Sequence, residues 1–324
     1  MKFFIPTKRL PKILPSDWLQ DWSQLGDSAG LTFLLYFSAS KMRIDCELTN
    51  EMPTTGIVIS HAEFLQDIPR PGADLYVISL QLDWPRSLWA QAHLVANRQE
   101  LKVGVLTVAE RFSFPGPRYF LTHMPQIGLK PRDPARRARF ERLGYFGLEK
   151  NLAPPFRERA WAVALQKLGL EWCVATAPEQ WSDYTNFDAV LAIRKEDHVY
   201  QRKPAQKLYN AWLGGLIPIL GPEIGFREER RSPLDFIEVG NASEALAAIK
   251  RLKNDPALCD LIRQSGSERG RILTPELVAA DWAMIFKEII LPEARRWLEM
   301  PLWKKQGFFL TRGLRAHMRT RKNG

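Results

Sequence analysis

The stretch KPAQKLYNAWLGGLIPILGPEIG, residues 203–225, decides the fold. It reads as a helix over 205–213, a turn at Gly214 and Gly215, a buried strand over 216–220, and a Gly/Pro loop opening a further helix. A loop such as Gly221-Pro222-Glu223-Ile224-Gly225, placed at the carboxyl end of a strand, is where open α/β sheets take ligands. Helix N-termini there offer unpaired N–H groups to phosphates. Lys203 and Lys207 are one helical turn apart and can face one anion. Arg194, just past the apolar run FDAVLAI at 187–193, would project from a neighbouring strand end. Two or three cations converging on one crevice suit a diphosphate. Glu223 has two readings: a carboxylate that accepts two hydroxyl hydrogen bonds from a ribose or sugar, or an ordinary acid favoured at a helix N-terminus.

Working outward, the second half of the chain alternates strands and helices. Strands are expected over 143–146, ending at Gly147, then over 171–175, 187–193 and 235–239. Helices are expected over 156–168, closed by Gly169, over 244–253 behind a Ser243 cap, over 256–269, and over 275–290 behind Thr274. The first half shows β-rich runs at 31–37, 56–60, 75–80 and 103–107, with a helix from Pro85 between the last two. Four prolines in 112–132 interrupt regular structure, and the domain boundary is placed near residue 140. Strands alternating with helices on both sides of it predict two α/β domains with parallel sheets.

Composition bounds the partners. The chain has 324 residues, 45% of them hydrophobic, a formal net charge of +10 and 3 cysteines without metal-ligand spacing, which suits a reducing compartment. From Arg295 onward nine basic residues face one acid, Glu299, a net +8; KPRDPARRARFER at 130–142 adds +4. The rest is about −2, a near-neutral body with two local basic features rather than a uniformly basic nucleic-acid binder. The longest apolar run is far shorter than the roughly 20 residues of a membrane span. No Walker A, GxGxxG, GxSxG or HExxH pattern is present.

At Lys207, Asn210, Ala211, Ile217, Pro218, Ile219 and Gly221 the chain resembles the donor-binding helix–strand unit of GT-B glycosyltransferases, most nearly the bacterial fucosyltransferase type. Gln206 stands where that pattern has an acid. The resemblance implies an α/β fold of two Rossmann-like domains facing across a cleft, with a helical C-terminal extension. The expected division is an acceptor-side domain at 1–140, a nucleotide-sugar domain at 141–291 and a basic tail at 292–324. It also implies donor contacts by Lys207 and Arg194, to which the residues above add Lys203, Asn210, Gly221 and Glu223. The co-substrate would be a nucleotide-diphosphate sugar, with no other cofactor and no metal: a D-x-D pattern is missing, and protein cations would serve the leaving diphosphate. A catalytic base would come from His61, after the run 56–60, or His123; Glu63, Asp83 and Glu110 also follow strands.

The tail WKKQGFFLTRGLRAHMRTRK, 303–322, reads as an amphipathic helix weakened by Gly307 and Gly313. Trp303, Leu310, Leu314 and Met318 fall within about 80° on a helical wheel, with Lys304, Lys305, Arg312, Arg315 and Arg319 opposite. Such a helix suits an anionic bilayer surface; the alternative is a helix packed back on the N-terminal domain with its basic residues solvated. The expectation is a cytoplasmic glycosyltransferase, peripheral at the inner membrane face, acting on a glycan or lipid-linked acceptor. The alternatives are a non-catalytic GT-B-like anion- or nucleotide-binding protein, and a nucleic-acid binder using the basic patches.

Overall fold

The computed structural model describes residues 1–10, 26–82, 84–101, 116–194 and 202–320. The chain forms two compact units, Met1–Thr122 with Ala279–Gly324, and His123–Val278.

The first unit is built on a six-stranded parallel sheet in the order β2-β1-β3-β4-β5-β6. Its strands are β1 Lys2–Phe4, β2 Glu47–Thr49, β3 Gly56–His61, β4 Leu75–Leu80, β5 Ala92–Val95 and β6 Arg118–Phe120. β3 and β4 are continuous apolar runs because both faces of a parallel sheet are covered; Val58, Ile59, Val77, Ile78 and Leu80 are fully buried. Two expectations are corrected here. The run 31–37 lies inside helix α1, Gly26–Lys41, rather than in a strand. The five consecutive residues Leu31, Thr32, Phe33, Leu34 and Leu35 are all buried, so this helix is wrapped by protein on most sides and shows no amphipathic period to betray it. The stretch after Pro85 holds strand β5 and a short 3-10 turn, Arg98–Leu101, instead of a helix. There the Gln91 side chain accepts from Val77 N–H and donates to the Leu75 carbonyl, tying the chain to β4 as an extended segment. The expected strand 103–107, Asp83 and Glu110 lie outside the described residues.

The C-terminal segments complete this unit rather than standing apart as a tail. Helix α7, Pro275–Ile285, runs through a π turn, Phe286–Ile290, into α8, Leu291–Glu299, and α9, Leu302–Thr320 follows. (Helices α2 to α6 belong to the second unit, below.) The Trp282 indole donates to the Thr122 carbonyl at 2.7 Å, Tyr76 to Glu293 at 3.2 Å and the Trp297 indole to the Ala73 carbonyl at 3.1 Å. On α9 two of the basic residues, Lys305 and Arg312, point inward. Lys305 is 3% exposed, bound to Asp74 and the Leu298 carbonyl, and Arg312 is fully buried, donating to the carbonyls of Leu88 and Ala90 at 2.8 and 2.5 Å. Among the described residues, no helix is long and apolar enough to cross a membrane.

The second unit carries a five-stranded parallel sheet in the order β11-β10-β9-β7-β8. Its strands are β7 Arg142–Phe146, β8 Glu171–Ala175, β9 Ala189–Ala192, β10 Ile217–Leu220 and β11 Ile237–Glu238. The helices are α2 Arg159–Gln166, α3 Gln206–Leu213, α4 Ile224–Glu229, α5 Ala242–Asn254 and α6 Pro256–Gly270, close to the expected positions. Gly169 closes the turn after α2 at φ +66°, as a left-handed cap requires. The cap of α5 is Asn241, not Ser243: its side chain accepts from Glu244 N–H at 3.0 Å and Glu244 accepts in return from Gly240 N–H and the Asn241 amide, a reciprocal box that outcompetes a lone serine.

The boundary between units falls at His123 rather than near 140, because the basic stretch 130–142 is sewn into the second sheet. Buried Asp188, at the start of β9, accepts from Arg132, from Arg136 through two nitrogens, and from the amides of Glu141 and Arg142 at 2.7–3.0 Å. Lys130 and Arg132 further donate their amides to the Ser182 and Gly214 carbonyls.

Candidate functional site

In the second sheet the connection leaves β7 toward β8 on one side and returns to β9 on the other, so the strand order reverses between β7 and β9. That reversal opens a crevice at the carboxyl ends of the strands, where doubly wound sheets bind ligands. β7 ends there at Phe146 and Gly147, the chain after β9 presents Arg194, and the chain after β10 presents Gly221, Pro222 and Glu223. Gly221 donates its amide to the Ala192 carbonyl at 2.9 Å, which binds the β10 end to the β9 end. A Cβ on Gly221 would lie 3.5 Å from the Ile193 Cα, ordinary contact, so its absence is not what allows the approach.

Four of the residues expected in the site meet around one carboxylate. Glu223 is 6% exposed and accepts from the Arg194 guanidinium through Oε2. Its Oε1 is buried without a hydrogen-bond partner. Burial pushes the Glu223 carboxyl above the usual range, against the opposing charges of Arg194, Lys207 and Lys203. Lys207, in the first turn of α3, reaches the carbonyl of Phe146 and sits 4.7 Å above the Tyr145 ring centroid. Arg194 thus pairs with a buried carboxylate at a sheet switch point, and the charges of Lys207 and Lys203 act on the same carboxylate. Cations gathered at the switch point of a sheet are the kind of group that receives a diphosphate.

Asn210 does different work. Its Oδ1 accepts from Gln126 N–H at 2.9 Å, and its side chain also bonds Tyr184, so it pegs the 123–130 segment onto α3. That segment begins with His123. The His123 Nδ1 lies 2.7 Å from the Met124 carbonyl, which makes Nδ1–H the donor and places the basic lone pair of the neutral ring on Nε2. His61 is the reverse case. It ends β3 as expected, but it is buried against Phe64 and Trp84, and its Nδ1 accepts from Glu63 N–H at 3.2 Å. The neutral ring then carries its proton on Nε2, so its lone pair is already used as a helix cap.

Gly147, expected only as the end of a strand, belongs to the site. It adopts φ +146°, open to glycine, and a Cβ there would lie 3.0 Å from the Lys207 ammonium. The signal available was a glycine directly after an apolar run, the same signal that marked Gly221. Tyr145 and Phe146, which seat Lys207, carry no such mark.

No family model matches the chain, and no curated protein does. Solved structures do. HepE from Anabaena in complex with UDP-glucose aligns with a TM-score of 0.51 at 9% identity, covering 89% of this chain and 99% of that one. The GtfA/B complex gives 0.50 at 10% identity over 83% of this chain, which spans 61% of that chain. AviGT4, a glycosyltransferase involved in avilamycin A biosynthesis, gives 0.48 at 13% identity, covering 93% and 98%. At these identities the likeness to HepE and to the GtfA/B complex speaks for the fold alone: two α/β units on parallel sheets with a helical C-terminal part, the GT-B type.

Proposed function

We propose that the chain is a glycosyltransferase that moves a sugar from a nucleotide-diphosphate sugar to a hydroxyl of a glycan or lipid-linked acceptor. The observation that carries this reading is the convergence of Arg194, Lys203 and Lys207 on buried Glu223 at the switch point of the second sheet. As the bond to the anomeric carbon breaks, negative charge develops on the leaving diphosphate, and fixed cations in a buried crevice stabilise it most at that moment. Lys207 and Arg194 neutralise the phosphates without a divalent metal, and the open Oε1 of Glu223 accepts from a donor hydroxyl. His123, with its basic nitrogen set at Nε2, takes the acceptor proton. The resemblance of 207–221 to bacterial fucosyltransferase-type enzymes adds to this reading, and HepE's complex with UDP-glucose makes UDP the first nucleotide to try. We place the enzyme in the cytoplasm, with α9 at the inner, anionic face of a membrane.

Thermal shift with UDP, GDP, ADP and CMP tests the class and names the base together. One nucleotide is expected to stabilise the protein, and Lys207→Ala to weaken that nucleotide by roughly tenfold to a hundredfold, the worth of one charge-assisted contact. If none stabilises it and Lys207→Ala changes nothing, the reading fails. Binding without transfer or hydrolysis of the corresponding nucleotide sugar would select the non-catalytic alternative. The nucleic-acid reading is not favoured, since Arg132 and Arg136 of the basic patch are committed to Asp188.

A further inference from the structure

We propose that the outward face of α9 is a membrane-docking surface on which Trp303, Leu310 and Leu314 enter the headgroup layer of an anionic bilayer. The helix is packed opposite to the simple expectation for an amphipathic element. Its inward face holds Lys305, Arg312 and Phe309, all buried, with the Arg312 guanidinium 3.9 Å from the Phe308 ring centroid and Phe309 set among Trp89, Trp297 and Arg70. Burying a lysine and an arginine is tolerated only because carboxylate and carbonyl groups receive them. Those contacts fix the rotation of the helix. The opposite side then presents Trp303, Leu310 and Leu314 at 69%, 58% and 66% exposure. Positions 303, 310 and 314 fall within about 40° on a helix, so they form one stripe.

Charge selects the occupant. Residues 300–324 contain no acid, and five basic residues besides the buried Lys305 and Arg312. Exposed Lys304 flanks the stripe, its ammonium 5.3 Å from the Trp303 ring centroid. An apolar stripe with a tryptophan, flanked by an exposed lysine in a segment without acids, matches the interface of an anionic bilayer, where indole rings settle at headgroup depth and basic side chains meet lipid phosphates. The inference gives residues to the membrane placement proposed above and rests on that reading for its biological purpose. Its physical content is independent of sugar transfer.

Co-sedimentation of the full-length protein with vesicles of equal parts phosphatidylglycerol and phosphatidylcholine is the test. Wild type is expected to sediment with these vesicles, more weakly with phosphatidylcholine alone, and less as salt rises. The variant Trp303→Ser/Leu310→Ser/Leu314→Ser should lose at least about tenfold in vesicle affinity, with its melting temperature and nucleotide response unchanged, because all three side chains are exposed. Lys304→Glu should weaken binding to the anionic vesicles only. The proposal is overturned if wild type stays in the supernatant, or if the triple variant sediments as wild type does. It is equally overturned if the stripe proves to be covered by a second copy, seen as a dimer at micromolar concentration that the triple variant abolishes. Vesicle binding without any nucleotide response would sink the transferase reading and leave this surface standing.

Discussion

Asp188 and Glu223 are both buried acids set among arginines or lysines, and their surroundings drive them in opposite directions. Burial raises both, but at Asp188 the Arg136 hydrogen bonds and charge, with the amides of Glu141 and Arg142, outweigh it and hold the carboxyl below its ordinary range. At Glu223 burial prevails over Arg194 and the two lysines, and one oxygen is left open. The first arrangement is a structural knot, every lone pair used; the second is an unfinished one, suited to a ligand. Asp188→Asn should therefore destabilise the second unit by about 3 kcal/mol, the cost of leaving buried arginines uncompensated. Because the folded-state pKa is depressed, this stabilisation is present at neutral pH and fades as pH falls through the folded value. Denaturant unfolding from pH 7 downward should show the gap between wild type and variant closing below about pH 4, where the unfolded aspartate takes its proton before the folded one does. A gap constant with pH would show that the charge of Asp188 is not what holds the loop. Gly147 makes the complementary case at the site. Gly147→Ala should cost about 1–3 kcal/mol for a side chain at φ +146°. It should also push the Lys207 ammonium from its seat, so nucleotide affinity falls while a control glycine in open space, Gly128→Ala, pays only the backbone strain.

Elements of the second unit are legible in the sequence where local signals agree with tertiary demand. The helix at 205–213, the strand at 216–220 and the loop after it appear almost where expected because turn glycines, apolar runs and a polar loop all mark the same boundaries. In the first unit they disagree. α1 is apolar on most sides and reads as a strand, while β5 carries helix-forming residues and is held extended by Gln91 and by the carbonyl-binding Arg312, a residue 222 positions away from Ala90. The candidate site divides the same way. Charged residues beside strand ends are visible in sequence; the tautomers of His61 and His123 and the peg made by Asn210 depend on backbone groups brought up by the fold. Packing of α3 against α6 is another feature only the structure reveals. A Cβ on Gly266 would stand 2.8 Å from the Trp212 ring, and Gly270, one turn on, faces Leu213. Gly266→Ala must shift α6 away from the helix that carries Lys207, at an expected cost of about 1–3 kcal/mol. Thermal melts measure the loss, and nucleotide titration at low temperature shows whether α3 moves with it. An unchanged melting temperature would mean that the two helices separate at no cost.

The whole molecule is one continuous unit set within a discontinuous one. His123–Val278 contains the second sheet, its helices and the entire candidate donor site in a single stretch of chain. Met1–Thr122 lacks part of its own core until the chain returns at Ala279. Fully buried Phe286 packs edge-on against Phe3, and Trp282 and Asp281 bond the Thr122 carbonyl and hydroxyl. Tyr76 and Ala73 find their partners on α8, and α9 delivers Lys305 and Arg312 to Asp74 and to the carbonyls of Leu88 and Ala90. Removing α9 alone uncovers Phe309's packing partners and leaves two carbonyl groups without their donor, each such buried orphan costing about 1–3 kcal/mol. A domain of this size has only about 5–15 kcal/mol in hand. The expected outcome is therefore asymmetric. Residues 123–278 produced alone should unfold cooperatively and retain the nucleotide response of the full chain, whereas residues 1–122 alone should show no cooperative transition, and residues 1–301 should lose the first unit's transition while keeping the second's. Calorimetry on the three species decides it: a cooperative 1–122 fragment would mean that the returning helices are ornament, and a 123–278 fragment that neither folds nor answers to a nucleotide would mean that the donor site is not contained in the unit that displays it.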